Sequence, residues 1–125
     1  IVVTVAGELA HVLPEAESIP VALTVNELLT NAIKHGQGGD VRCHLQAEGE
    51  DVLIQIAGQG ALPPGFDLAK VRGGISGLGL VRALLPRRSS TFSLAAVGTD
   101  VVASLALRPP SVRFARPDDQ RQSDA

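Results

Sequence analysis

Four residues on one short stretch carry groups suited to phosphate chemistry. In "TVNELLTNAIKHGQGG", residues 24 to 39, Glu27, Asn31 and Lys34 follow an i, i+4, i+7 spacing, with His35 beside them. At 100° per residue that spacing lines them along one side of a helix. A carboxylate can orient or deprotonate a water, and an ammonium can neutralise phosphate charge. An Asn carbonyl is a neutral oxygen ligand for a hard cation beside phosphates. Asn is a poor helix former, costing roughly 0.5 kcal/mol relative to Ala, and Asn26 and Asn31 both fall inside the helical stretch. A solvated helix face, with Glu27 and Asn31 making ordinary i, i+4 contacts, stays open as the plain reading, and the two interior Asn count against it.

Two glycine-rich segments stand downstream. "GQG" at 58–60 follows an apolar alternating run, and "GGISGLGL" at 73–80 leads into a second helical pattern. Glycines let backbone N–H groups approach a phosphate, and a helix N-terminus favours anions. Neither segment is a Walker A loop, since no Gly-Lys-Ser/Thr follows at the required spacing. The dinucleotide fingerprint fails too, because Arg82 stands where its third glycine would fall. "VGTD" at 97–100 reads as a hairpin turn.

These groups need elements to hold them. "IVVTVA" at 1–6 reads as a strand and "GELAHVLPEAE" as a loop. "SIPVALTVNELLTNAIKHG" is the clearest helix, with Ser18 as its cap, Pro20 in its first turn and Gly36 ending it. Val21, Val25, Leu28, Leu29, Ala32 and Ile33 share one broad apolar face, expected on a sheet. Leu23 falls near the polar side. "VRCHLQAE" and "VLIQIA" alternate apolar and polar residues and form a hairpin through "GED". "GLGLVRALL" is a short helix stopped by Pro86. "TFSLAAV" and "VVASLAL" make a second hairpin. The order of elements predicts an α/β two-layer sandwich, its mixed, mainly antiparallel sheet covered by helices on one face. Residues 1–108 form one domain, and the Pro-, Arg-, Asp- and Gln-rich residues 109–125 a flexible tail.

Composition excludes several classes. The chain has 125 residues, 45% of them hydrophobic, and a net charge of −2. Three Phe and no Trp or Tyr leave few rings for stacking on bases, so no nucleic acid is expected as a partner. No apolar run reaches the roughly 20 residues that span a bilayer, so no direct membrane contact is expected. Cys43 has no partner for an internal disulfide, which fits a reducing, cytoplasmic setting. His11 and His44 lack metal-ligand spacing with Cys43 and are expected to be structural. A chain with no Met that opens on Ile1 reads as a piece of a longer protein.

Together the motifs resemble the ATP-binding catalytic domain of bacterial sensor histidine kinases, the Bergerat fold shared with gyrase and Hsp90-like ATPases. "NELLTNAIKHG" is similar to the N box, "GQGALPPGFD" to a G1 box, "GISGLGL" to the G2 box and "GTDVVASLAL" to the closing Gly-Thr hairpin, over roughly residues 1–107. The resemblance implies ATP and Mg²⁺ as cofactors, a lid at about residues 64–76, and Asn31 as the Mg²⁺ ligand. It implies that Glu27 orients water or helps a phosphoacceptor His lose its proton, and that Lys34 and His35 approach phosphate or ribose. Gly58, Gly60, Gly77, Leu78 and Gly79 would line the nucleotide, with Thr99 near the adenine pocket. The partners implied are a phosphoacceptor His domain of the same protein and a downstream response regulator, and the location the cytoplasm, as part of a membrane-bound sensor in some arrangements. The family's G1 Asp, which accepts a hydrogen bond from the adenine amino group, has no counterpart. Strand register places Gly58 in its slot, and alignment on "LPPGFD" places Ala57 there. Two further readings stay open: a degenerate domain with weak or no ATP binding that serves docking, and an anti-sigma-factor-type serine kinase.

Overall fold

A computed structural model describes residues 3–7, 11–35, 39–62, 85 and 88–115. Its elements are β1 (Val3–Ala6), β2 (His11–Val12), α1 (Glu15–His35), β3 (Val41–Glu48), β4 (Asp51–Gln59), β5 (Ser90–Val97), β6 (Asp100–Leu107) and β7 (Arg113–Phe114). Five strands form one sheet in the order β1-β3-β4-β6-β5, and β2 and β7 form a small second sheet. Among the described strands only β1 and β3 run parallel; the other pairs are antiparallel. α1 lies across β4 and β3. The architecture is the expected α/β sandwich, a mainly antiparallel sheet with a helix packed on it.

Period-two alternation decides which side chains meet the helix. Val41, Cys43, Val52, Ile54, Ile56, Ala103, Leu105 and Leu107 are buried with Val21 and Leu28 of α1 in one core. Val25, Leu29 and Ala32 pack against it, as do Phe92 and Leu94 of β5. Both tight hairpins turn at a glycine with φ of 61°, Gly49 and Gly98, a left-handed conformation that costs other residues a Cβ clash. The opposite face of the sheet mixes apolar and polar residues. There Gln55 Nε2 donates to Ser104 Oγ at 3.3 Å, and Arg42 meets Asp100 at 2.6 Å.

Four expectations need correction. α1 begins at Glu15, not at Ser18, and Pro20 lies inside it. A Pro there forfeits one helix bond, but it lies just before the buried Val21 and Thr24. The Thr24 hydroxyl donates back to the Pro20 carbonyl at 2.9 Å. The segment read as a loop before the helix also contains β2. Ile33 is 40% exposed: at 100° per residue it falls about 120° from Val21, beyond the edge of the packed face. The flexible tail does not begin at Pro109, because Ser111 and Val112 are buried and β7 pairs with β2. Burial of Val112 and the His11–Phe114 ring contact, at 4.8 Å between centroids, hold that segment to the body.

The second helix expected at "GLGLVRALL", the lid at about residues 64–76 and the Gly36 cap lie outside the described residues, apart from Leu85, which packs against the core.

Candidate functional site

α1 turns two kinds of polar residue towards the sheet side. Thr24 is fully buried and has its hydroxyl satisfied within the helix. Glu27 and Asn31, one and two turns on, are half-buried. They stand at the border between the packed face and the open one, where a side chain can be both held and reached. Lys34 is exposed one turn further, and Asn26 is exposed on the outer side. His35 ends the helix.

β4 supplies the other side of the site. It runs through Gly58 and Gln59, two residues past the expected strand end, because its ladder with β6 continues as Gly58↔Val101 and Gln59↔Asp100. Gly58 is buried on the helix-facing side, while Ala57 alternates to the other side of the sheet. A Cβ built on Gly58 would stand 3.7 Å from the Ala32 Cβ, the Ala32 carbonyl oxygen and the Val41 Cγ2. Strand geometry therefore favours Gly58 over Ala57 as the residue facing the helix next to Asn31. Beyond it, the Gly60 N–H donates to the Thr99 carbonyl at 3.1 Å, which ties the end of β4 to the β5–β6 turn.

The structure thus sets Ala32, the chain neighbour of Asn31, against Gly58 and ties Gly60 to Thr99. Glu27 and Lys34 sit on the same flank of α1. Gly77, Leu78 and Gly79 lie outside the described residues. His11 does structural work: its Nε2 hydrogen-bonds the Gly49 carbonyl oxygen at 3.0 Å, clipping β2 to the β3–β4 turn. His44 is exposed on the outer face. Burial pushes the Cys43 thiol above its ordinary pKa, which makes it a poor nucleophile. Thr24 and Gln59 were missed from sequence. Thr24 falls within 60° of Val21 on a helical wheel, and Gln59 leans on Gly39, its Oε1 2.6 Å from where a Cβ there would stand.

No curated protein matches the chain. Among solved structures, a blue-light activated histidine kinase from Erythrobacter litoralis superposes with a TM-score of 0.68 at 21% identity, covering 85% of this chain and 34% of that one. The catalytic domain of histidine kinase ThkA gives 0.66 at 17% identity, covering 85% and 75%. ThkA in complex with the response regulator TrrA gives 0.67 at 14% identity, covering 84% and 33%. At such identities the likeness is one of fold. The chain spans 34% of the first kinase and 50% of its histidine kinase domain. Residues 2–103 match the histidine kinase-like ATPase domain, and the chain belongs to that family.

Proposed function

We propose that the chain is the ATP-binding catalytic domain of a two-component sensor histidine kinase. It delivers the γ-phosphate of ATP to a His on a separate dimerisation domain of the same protein, which then passes it to a response regulator. The observation that supports this reading is that α1, which carries Glu27 and Asn31 half-buried on one flank, packs Ala32 against Gly58 near the end of β4.

The donor set fits a magnesium nucleotide at the helix end. Among the described residues no cluster of three or more His, Cys, Asp or Glu is arranged to hold a metal. The Asn31 amide oxygen would therefore share a hard cation with phosphate oxygens rather than hold it in a protein cage. Mg²⁺ supplies charge neutralisation on the phosphates when bound. Glu27 orients the nucleophile or accepts its proton, and Lys34 adds a positive charge that follows the phosphates. Catalysis on this plan is positioning plus electrostatics, as in phosphoryl transfer generally. The base end fits less well, since Gly58 offers no side chain to a purine. Losing a buried charge-assisted acceptor costs roughly 1.5–3 kcal/mol, or about one to two orders of magnitude in affinity.

Gly58 is also the observation that favours the second reading, a domain of this fold that docks partners with little nucleotide affinity. The matched family includes anti-sigma-factor serine kinases as well, and identifying the acceptor residue separates those from a histidine kinase. Among the described residues no helix is long and apolar enough to cross a membrane.

Calorimetric titration with Mg²⁺–ADP tests the nucleotide reading. Saturable heat and a raised melting temperature are expected. No heat and no thermal shift at millimolar nucleotide would leave the docking reading standing.

A further inference from the structure

The outer side of α1 is not what a solvated helix presents. At 100° per residue, the side opposite the buried Val21, Thr24 and Leu28 carries Ala16, Ile19, Leu23, Asn26, Thr30 and Ile33. All six are exposed, Ile19 at 68%, Leu23 at 41% and Ile33 at 40%. Between Ile19 and Ile33 the sequence holds one charged residue, Glu27, and it is half-buried at the border of the packed face. A helix face turned to water ordinarily carries charges, and a contiguous exposed apolar stripe marks a contact.

The spacing says what kind of element fits. The six positions step by 3, 4, 3, 4 and 3 residues, the alternation that makes a seam between two helices. A strand has no such period. Along the seam the order is small, apolar, apolar, polar, polar, apolar. That order is matched by a second copy of α1 laid parallel and in register. Ile19 then meets Ile19, Leu23 meets Leu23 and Ile33 meets Ile33. Asn26 meets Asn26, and an amide both donates and accepts; Thr30 meets Thr30, and a hydroxyl does the same. A lone Asn in such a seam is a known means of fixing register. The antiparallel arrangement about the centre of the stripe opposes Leu23 to Asn26 and Ile19 to Thr30, which leaves each polar group against an apolar one. In the parallel pair the heptad sets Glu27 beside Ala22 of the second copy and Lys34 beside Leu29 of the second copy, so no like charges meet.

We propose that the outer face of α1 is an interface between two copies of this chain, paired α1 to α1, parallel and in register about a two-fold axis. The contact is isologous, each residue meeting its own equivalent. Its seam runs about two and a half heptads. The two faces together bury on the order of 1,000 Å², the low end for a specific interface. The pairing is therefore reversible and set by concentration. It stands apart from the nucleotide reading, and it gives a role to Ile19, Leu23 and Ile33, which neither the core nor the candidate site uses.

Sedimentation equilibrium on the whole chain, from micromolar to millimolar concentration, tests this. A reversible monomer–dimer equilibrium is expected within that range. Ile19→Lys and Leu23→Lys should each raise the dissociation constant about tenfold or more. Both side chains are exposed, so the circular dichroism spectrum should not change. Asn26→Cys should form a disulfide-linked dimer under mild oxidation, since in-register pairing brings the two Cα atoms within bridging distance. Gln46→Cys, exposed on the far side of the sheet, should not, and the native Cys43 is buried. A chain that stays monomeric to millimolar concentration would overturn the proposal and leave the stripe to a helix of another protein. A dimer that both lysine variants leave intact uses another face and overturns it as well. Cross-linking of Asn26→Cys no faster than of Gln46→Cys rules out the parallel register and the proposal with it. If a lysine variant does not fold, the cysteine pair decides.

Discussion

The helix end and the strand end of the candidate site are built by opposite means. α1 contributes side chains: Glu27 and Asn31 at the edge of the packed face and Lys34 beyond it. β4 contributes space and backbone: Gly58 under Ala32, and Gly60 tied to the β5–β6 turn. The first end has chemistry that survives if its neighbour changes. The second has shape, which any bulky residue would erase. On the nucleotide reading proposed above, the difference teaches that one site can keep its phosphate chemistry and lose its base chemistry, because separate elements position the two.

What the ends share is the core beneath them. Leu105 is fully buried, opposite Ile54 in the ladder and opposite Phe92 on β5. Leu105→Ala should destabilise the chain by about 2–5 kcal/mol, read by urea denaturation, and weaken both ends together. A loss below about 1 kcal/mol would mean that helix and sheet do not rest on a common core.

Next in size is a change confined to the helix end. Asn31→Ala should weaken Mg²⁺–ADP binding about ten- to hundredfold and abolish its dependence on Mg²⁺, with little change in the melting temperature, since Asn31 is only half-buried. Calorimetry with and without a chelator measures this. An unchanged Mg²⁺ dependence would take the metal away from Asn31.

The strand end is probed by filling it. Ala32→Leu pushes new atoms towards the space over Gly58, 3.7 Å from its present Cβ. The overpacking should cost about 1–3 kcal/mol of stability. ADP binding should fall while binding of Mg²⁺–tripolyphosphate persists. Equal loss of both ligands would show that the two ends act as one unit and break the contrast.

How much of this was legible in the sequence follows the same division. Side chains at helical spacing announce themselves, so Glu27, Asn31 and Lys34 stand out at once. The alternation in β3 and β4 gave the core strands and the inward Cys43. Glycine at 58 is ambiguous in a sequence, because the same residue marks a loop, a turn or a close approach. Only the ladder to Val101 shows that it is still in the strand and facing α1. Thr24 was hidden for a different reason: its hydroxyl is satisfied by the Pro20 carbonyl, a local bond that lets a polar residue pass into the core. The Ser111–Val112 segment looked like tail because prolines, arginines and a serine surround one valine. Its burial depends on the distant β2 and on the buried contact between the Ser89 and Ser111 hydroxyls, which no local pattern encodes.

Cys43 offers the smallest perturbation, since it needs no mutation. It lies buried on β3 under the helix, opposite Ile56, in the strand that also supplies Val41 at the strand end. Desolvation raises its thiol above the ordinary value. The fold therefore favours the protonated form, a contribution full below the ordinary thiol pKa and lost as pH rises through the raised one. At pH 8 iodoacetamide should label the native chain at least about a hundredfold more slowly than the urea-unfolded chain, at a rate set by opening of α1 from the sheet. Saturating Mg²⁺–ADP, about a hundredfold above its dissociation constant, should slow labelling by up to a further hundredfold if opening destroys the site. Tripolyphosphate, which engages the helix end alone, should protect as well when present at the same multiple of its own dissociation constant. Protection by ADP without protection by tripolyphosphate would make the strand end, not the helix end, the one that clamps α1 to the sheet.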